Sequence, residues 1–274
     1  MASKQLIITA DDFNADAERN RGILESSDKG ILTTTSVISN LPLDSETVTE
    51  LKNSFNGVGI HLNITKGVPL SPNAGTLVGK NGQFFDKQTV WKKAFSKLYD
   101  HNELLSEFSA QIEMLLDNGI VPDHINGNNH LHIFPVFADI TAQIANKYKI
   151  QFIRVPKEAF YFSDINLSKT FIKKYFIYAL SWVAKKFFIK AGLRFTDHFN
   201  GIAIPSLLSK ESMLKFIQQL PPGTTELMCH PGYSFPGNLF SNADREKELL
   251  ILTDKDIIKS IKQNNIELVC FNDL

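Results

Sequence analysis

The sequence predicts an α/β fold of the (β/α) barrel type, closed or incompletely closed, on three observations. Apolar, β-branched runs recur along the chain, helix-like stretches separate most of them, and metal-capable side chains collect where the runs end. Strand alternating with helix implies a mainly parallel sheet, because parallel neighbours need a crossover connection.

Taken in order, strands are expected near Lys4–Ala10, Thr34–Ser39, Val58–Asn63 and His124–Asn126, then Phe152–Val155, Asn200–Ile204, Glu226–Cys229 and Glu267–Phe271. Helices are expected over Asn20–Lys29, Glu103–Asn118, Val136–Lys147, Lys210–Gln219 and Asp254–Gln263. The last begins at Thr253-Asp254-Lys255-Asp256, with capping and acidic groups at the positive end of the helix dipole. Eight strands in 274 residues suit one barrel domain spanning 1–274. Two stretches interrupt the rhythm. Residues 67–86, rich in Gly, Pro and Asn, are long for a routine connection and read as an inserted loop or hairpin. Residues 169–194 set Phe171, Tyr175, Phe176, Tyr178, Trp182, Phe187 and Phe188 among lysines. A packed helix or a homodimer contact explains that pattern. So does an interfacial helix over 171–190 that meets anionic lipid headgroups.

Lys+Arg and Asp+Glu both total 29, and zero net charge argues against a nucleic-acid partner. Cys229 and Cys270 support neither a disulfide framework nor a Cys-based zinc site, so a reduced, cytoplasmic setting is expected. Asp11 and Asp12 cut short the first apolar run, leaving no signal-peptide hydrophobic region. The uncharged stretch Tyr175–Ala184 is half the roughly 20 residues that a spanning helix needs.

Asp11 and Asp12 close the first strand, His61 sits late in the third, and the His124–His132 cluster closes the fourth. Arg154 lies on the fifth, and His230 follows the seventh. In barrels of this type the active site forms at that rim. Asp11-Asp12-Phe13-Asn14 also suits a strand-ending turn, yet two adjacent carboxylates after a buried strand repel, and a cation would offset the repulsion. His61 alone reads equally as a core histidine. Three of the seven histidines fall within His124–His132, interleaved with amides and Gly127, which favours a metal or substrate site. Cys229-His230-Pro231-Gly232-Tyr233 suits a plain turn, and His230 gains weight from its company. His101 and His198 read as surface or structural residues.

With these residues assembled, the chain resembles the YdjC-like carbohydrate deacetylases. The match rests on Ile8–Phe13 with Asn20-Arg21-Gly22-Ile23, on Gly59–Thr65, on His124–Gly127 with His130–Pro135, and on Cys229–Tyr233. Weaker echoes are Gly67-Val68-Pro69-Leu70 and Ile153-Arg154-Val155-Pro156. The resemblance implies a deacetylase-type (β/α) barrel, one divalent metal ion (Mg2+ or Zn2+), and hydrolysis of an N-acetyl or related acyl group on an amino sugar, oligosaccharide or lipid-linked sugar. It also implies Asp12 and His61 as metal ligands, Asp11 as catalytic base, a protonated His230 as acid and Arg154 as the residue orienting the base. The chain departs from the family pattern at Asn128, where a metal histidine is usual. Asn128 itself, or His130 in its place, then completes the ligand set. A site disabled by Asn128 would instead make the protein a carbohydrate-binding relative.

Overall fold

The computed structural model describes residues 3–96, 98–158, 169–202, 209–235 and 242–274. Its strands are β1 (Lys4–Phe13), β2 (Thr34–Val37), β3 (Val58–Leu62), β4 (His124–Gly127), β5 (Phe152–Ile153), β6 (His198–Asn200), β7 (Gly223–Cys229) and β8 (Ile266–Leu268). The ladders between them are parallel, in the order β5-β4-β3-β2-β1-β7-β6, with β8 on β1. β1 serves three partners. β7 runs along Lys4–Ala10, while β8 takes Lys4–Leu6 and β2 takes over from Thr9. The sheet's ends, β5 and β6, are joined by single parallel bridges, Phe152 to Arg194 and Glu158 to Phe199, rather than a ladder. Among the described residues the expected barrel-type sheet is present and incompletely closed.

Helices α1 (Ala17–Lys29), α2 (Ser45–Ser54), α3 (Lys87–Phe95), α4 (His101–Asp117), α5 (Pro135–Lys147), α6 (Lys169–Lys190), α7 (Lys210–Gln218), α8 (Ala243–Leu252) and α9 (Lys255–Gln263) complete the order. The side chains of Asp16, Asp44, Asp86, Asp100 and Asp254 each accept first-turn amide hydrogens of the helix that follows. Their apolar faces pack as one core that includes Ile23, Leu51, Phe108, Ile112, Phe137 and Ile144.

The structure amends the sequence expectations in places. The sixth strand begins at His198 rather than Asn200, and residues 203–204 of the expected strand lie outside the described residues. α2, α3 and α8 were not anticipated. The segment 67–86, expected as a loop or hairpin, is mostly loop with one antiparallel bridge, Val78 to Phe84, and it is tied down through Glu103 and Glu107 of α4. Most of 169–194 is α6, a helix of 22 residues.

Inward-facing side chains of β1 alternate as a strand requires. Ile7 joins Phe152, Val269 and Phe271 in an apolar plug. Above it Thr9 donates to Glu226, and above that lies Asp11. The plug leaves no room on β3, because a Cβ on Gly59 would come within 2.3 Å of the His124 ring. That ring in turn stacks on Phe271 at 4.2 Å.

Candidate active site

Consecutive residues of a strand point to opposite faces, so Asp11 and Asp12 cannot both face one site in a regular β1. The β1–β2 register shifts between Ala10 and Phe13, and Asp12 takes the left-handed conformation at φ 67°. This bulge re-aims the second carboxylate. Asp tolerates that conformation better than a branched residue would.

Asp11 is 2% exposed and held on both oxygens. Arg154 reaches Oδ2 at 2.6 Å, while Ser36 and the Asn126 amide donate to Oδ1 at 3.2 and 3.1 Å. Arg154 also donates to Glu226 at 2.8 Å, so one buried guanidinium lies between two carboxylates. Burial alone would push the Asp11 carboxyl up; Arg154, and then His61, outweigh it and leave its pKa lowered.

The second carboxylate has partners of its own. Asp12 Oδ2 pairs with buried Arg19 at 2.6 Å, while Oδ1 lies 3.2 Å from His61 Nε2 and 3.0 Å from Asn128 Nδ2. Its pKa is lowered against burial by the His61 contact and then by Arg19. The tautomer of His61 follows from its neighbours. The Asn126 amide nitrogen donates to Asp11 and Ser36, so its oxygen faces His61 Nδ1 at 2.6 Å. Nδ1 therefore carries a proton, and Nε2 faces the Asp12 carboxylate. A lone pair and a carboxylate oxygen at that separation require a cation between them, either a proton or a metal. Burial opposes a charged His61, but Asp11 and Asp12 raise its pKa. Arg19 pairs with Asp12, and Arg154 is shared between Asp11 and Glu226.

Asp11, Asp12, Arg19, His61 and Asn128 line a pocket of about 590 Å³. Both stretches that break the strand–helix rhythm reach its wall, through Asp86 and through Lys173 of α6, and Lys87 and Gln88 at the start of α3 line it too. His230 lines it as well. Its backbone N–H donates to Glu248 at 2.5 Å, and its loop sits directly on α1, where a Cβ on Gly22 would stand 2.4 Å from Gly232 Cα. Burial and the charge of Arg245 bring the His230 pKa down to about 3, so its ring is neutral at rest rather than protonated.

Asp11, Asp12, His61, Arg154 and Asn128 are thus brought into one network, and His230 lines the same pocket. His130 lines the pocket but touches neither Asp12 nor His61; its ring meets the edge of Phe199. His132 is fully buried and bonds the Arg154 carbonyl at 3.0 Å. Its pKa is brought down to about 3 by burial. Among the described residues no three His, Cys, Asp or Glu side chains gather as a metal set. Beside Asp12 and His61 the third polar side chain is the Asn128 amide. Sequence reasoning missed Ser36, Arg19 and Glu226 as site residues, although a glutamate inside the apolar run of β7 is a legible signal.

A YdjC-like protein family model matches residues 5–263. The chain belongs to the YdjC-like family. A carbohydrate deacetylase of Clostridium beijerinckii is 33% identical over 276 residues, covering 98% of this chain and 100% of that one. A second carbohydrate deacetylase, from Thermoanaerobacter pseudethanolicus, is 31% identical, with 98% of each chain covered. The fold is shared with a candidate cellobiose-phosphate cleavage protein of Enterococcus faecalis, at a TM-score of 0.77, 22% identity and 99% coverage of both chains.

Proposed function

We propose that this YdjC-like chain is a metal-dependent carbohydrate deacetylase that hydrolyses the N-acyl group of an amino sugar. The observation that carries the reading is a carboxylate, Asp11, locked by Arg154, Ser36 and Asn126 beside the convergence of Asp12, His61 and Asn128. The names of the family relatives support the substrate class.

The residues fit a divalent cation. Asp12 offers a carboxylate oxygen and His61 an Nε2 lone pair fixed by its partner at Nδ1. As placed, the Asn128 amide turns its nitrogen to Asp12 and its oxygen to Thr65. Oxygen and nitrogen of an amide exchange by a half-turn. That turn would give the Asn128 oxygen to the cation and its nitrogen to Thr65, whose hydroxyl has Asn63 Oδ1 as an alternative acceptor at 3.0 Å. The neighbouring Asn129 amide, which now donates to Asn128, would turn with it. A cation held there supplies Lewis acidity, acidifying water and polarising an acyl carbonyl.

The protein supplies the proton transfers. Asp11, kept ionised by Arg154, takes a proton from the attacking water. His230 lines the pocket and is neutral, with one N–H to donate and one lone pair to accept, so it acts as the relay carrying that proton to the departing nitrogen. Arg154 has no part in the bond changes and holds Asp11 in place.

The test is acetate release from N-acetylated chito-oligosaccharides, with metal content measured on the same sample. Chelation should abolish release, and restoring Mg2+ or Zn2+ should recover it. Undiminished release from protein shown to be metal-free would refute the reading. Sugar binding without release from metal-loaded protein would point to a carbohydrate-binding relative.

A further inference from the structure

A helix that is apolar all round is ordinarily buried all round. α6 is apolar on every side and buried on one. Ile177, Leu180, Ala184 and Phe188 pack into the core. The opposite face places Ile172, Trp182 and Ile189 in solvent at 57, 53 and 58% exposure. At 100° per residue these three fall within one quadrant-wide stripe, with exposed Lys186 and Lys190 inside or beside it. The Lys186 ammonium lies 3.8 Å above the Trp182 ring. The patch extends past Phe176 to Phe95 of α3, whose ring is 5.8 Å from that of Phe176 and itself 56% exposed.

The charge of this face selects its occupant. Lys186 and Lys190 stand exposed in or beside the stripe and α6 carries no acidic residue, in a chain whose net charge is zero. A second copy docked through the same face about a twofold axis would bring lysines against lysines. An anionic bilayer complements both features, taking the apolar side chains into the acyl boundary and the ammonium groups among phosphates. Trp favours that boundary. Among the described residues no helix is long and apolar enough to cross a membrane, so the contact is with one surface.

We infer that α6 is a docking helix for an anionic membrane surface. Lys173, near its N-terminal end, lines the catalytic pocket. α6 thus joins the docking face on one side to the pocket wall on the other, and the hydrolase reading above would have the docked protein act on amino sugars carried on lipids. Docking itself does not depend on that reading.

Vesicle flotation tests docking without any turnover, so its failure and that of the deacetylase reading remain distinguishable. The wild-type protein should float with phosphatidylcholine–phosphatidylglycerol vesicles, fail to float with phosphatidylcholine alone, and be released by raised salt. Substituting Ile172→Ser, Trp182→Ser and Ile189→Ser together should lower the partition by about a hundredfold or more. Replacing Lys186 by Gln should lower it by about fivefold. Circular dichroism and acetate release from a soluble sugar should be unchanged, since none of these residues belongs to the site. Absence of flotation, or equal flotation of the triple variant, overturns the inference. So does a solution dimer that the triple substitution dissociates, because the face would then be covered by a second copy.

Discussion

The strand ends and α6 break the rule of apolar inside and polar outside in opposite senses. At the strand ends Asp11, Arg154 and Glu226 are buried charges, each within 2.8 Å of an opposite charge. On α6, Ile172, Trp182 and Ile189 are apolar side chains in water. A buried charge persists only where others compensate it, so the first region is rigid and intolerant of single changes. Exposed apolar groups cost the fold little, so α6 can be altered without loss of structure. The first arrangement is suited to chemistry and the second to association.

The largest effect that would sharpen this contrast is on turnover. Asp11→Asn should keep its metal and lose about 10²–10⁴-fold in kcat, the range for a positioned general base. Steady-state rates beside metal content check it, and a wild-type rate would remove Asp11 from the chemistry. Arg154→Met should destabilise the protein by about 3–5 kcal/mol, because it strands two buried carboxylates. Urea unfolding measures that, and the α6 triple substitution serves as the contrast, at no more than about 0.5 kcal/mol. A shift in the triple variant as large as that of Arg154→Met would erase the distinction between the regions.

Gly59→Ala should cost about 1–3 kcal/mol, since the new methyl overlaps the buried His124 ring. The smallest effect concerns pH. His132 has its pKa brought down from 6.5 to about 3, so it is neutral in the native state and takes up a proton when the chain unfolds. The unfolded state binds more protons between those values. Stability should therefore fall as pH drops through that window. His61, whose pKa is raised, works in the opposite sense and loses its contribution as pH rises. The difference between wild type and His132→Gln isolates the first effect, about 2 kcal/mol of pH-dependent stability between pH 7 and pH 5.

Much of the fold was legible because β-branched apolar runs mark buried parallel strands and all eight were placed within a few residues. The sixth drifted because Asn200–Ile204 reads as apolar, whereas pairing with β7 begins at His198. α2 and α8 escaped because polar residues dominate them, although Asp44 and Asn242 mark their starts as caps. Asp11, Asp12, His61 and His230 could be gathered from their positions at strand ends. What could not be read was the bulge at Asp12, since alternation assigns adjacent carboxylates to opposite faces. Arg19 was hidden for a related reason. An arginine in a helix is ordinarily solvated, and only the turn into α1 brings this one to Asp12.

The account's central claim is that Asp12, His61 and Asn128 grip one cation beside an unligated Asp11. Anomalous diffraction from crystals soaked in Mn2+ tests it most directly. One peak per chain is expected, in contact with Asp12, His61 and the Asn128 amide, with Asp11 still bound to Arg154. A peak ligated by His130 in place of Asn128, or no peak in that pocket at saturating metal, would contradict it.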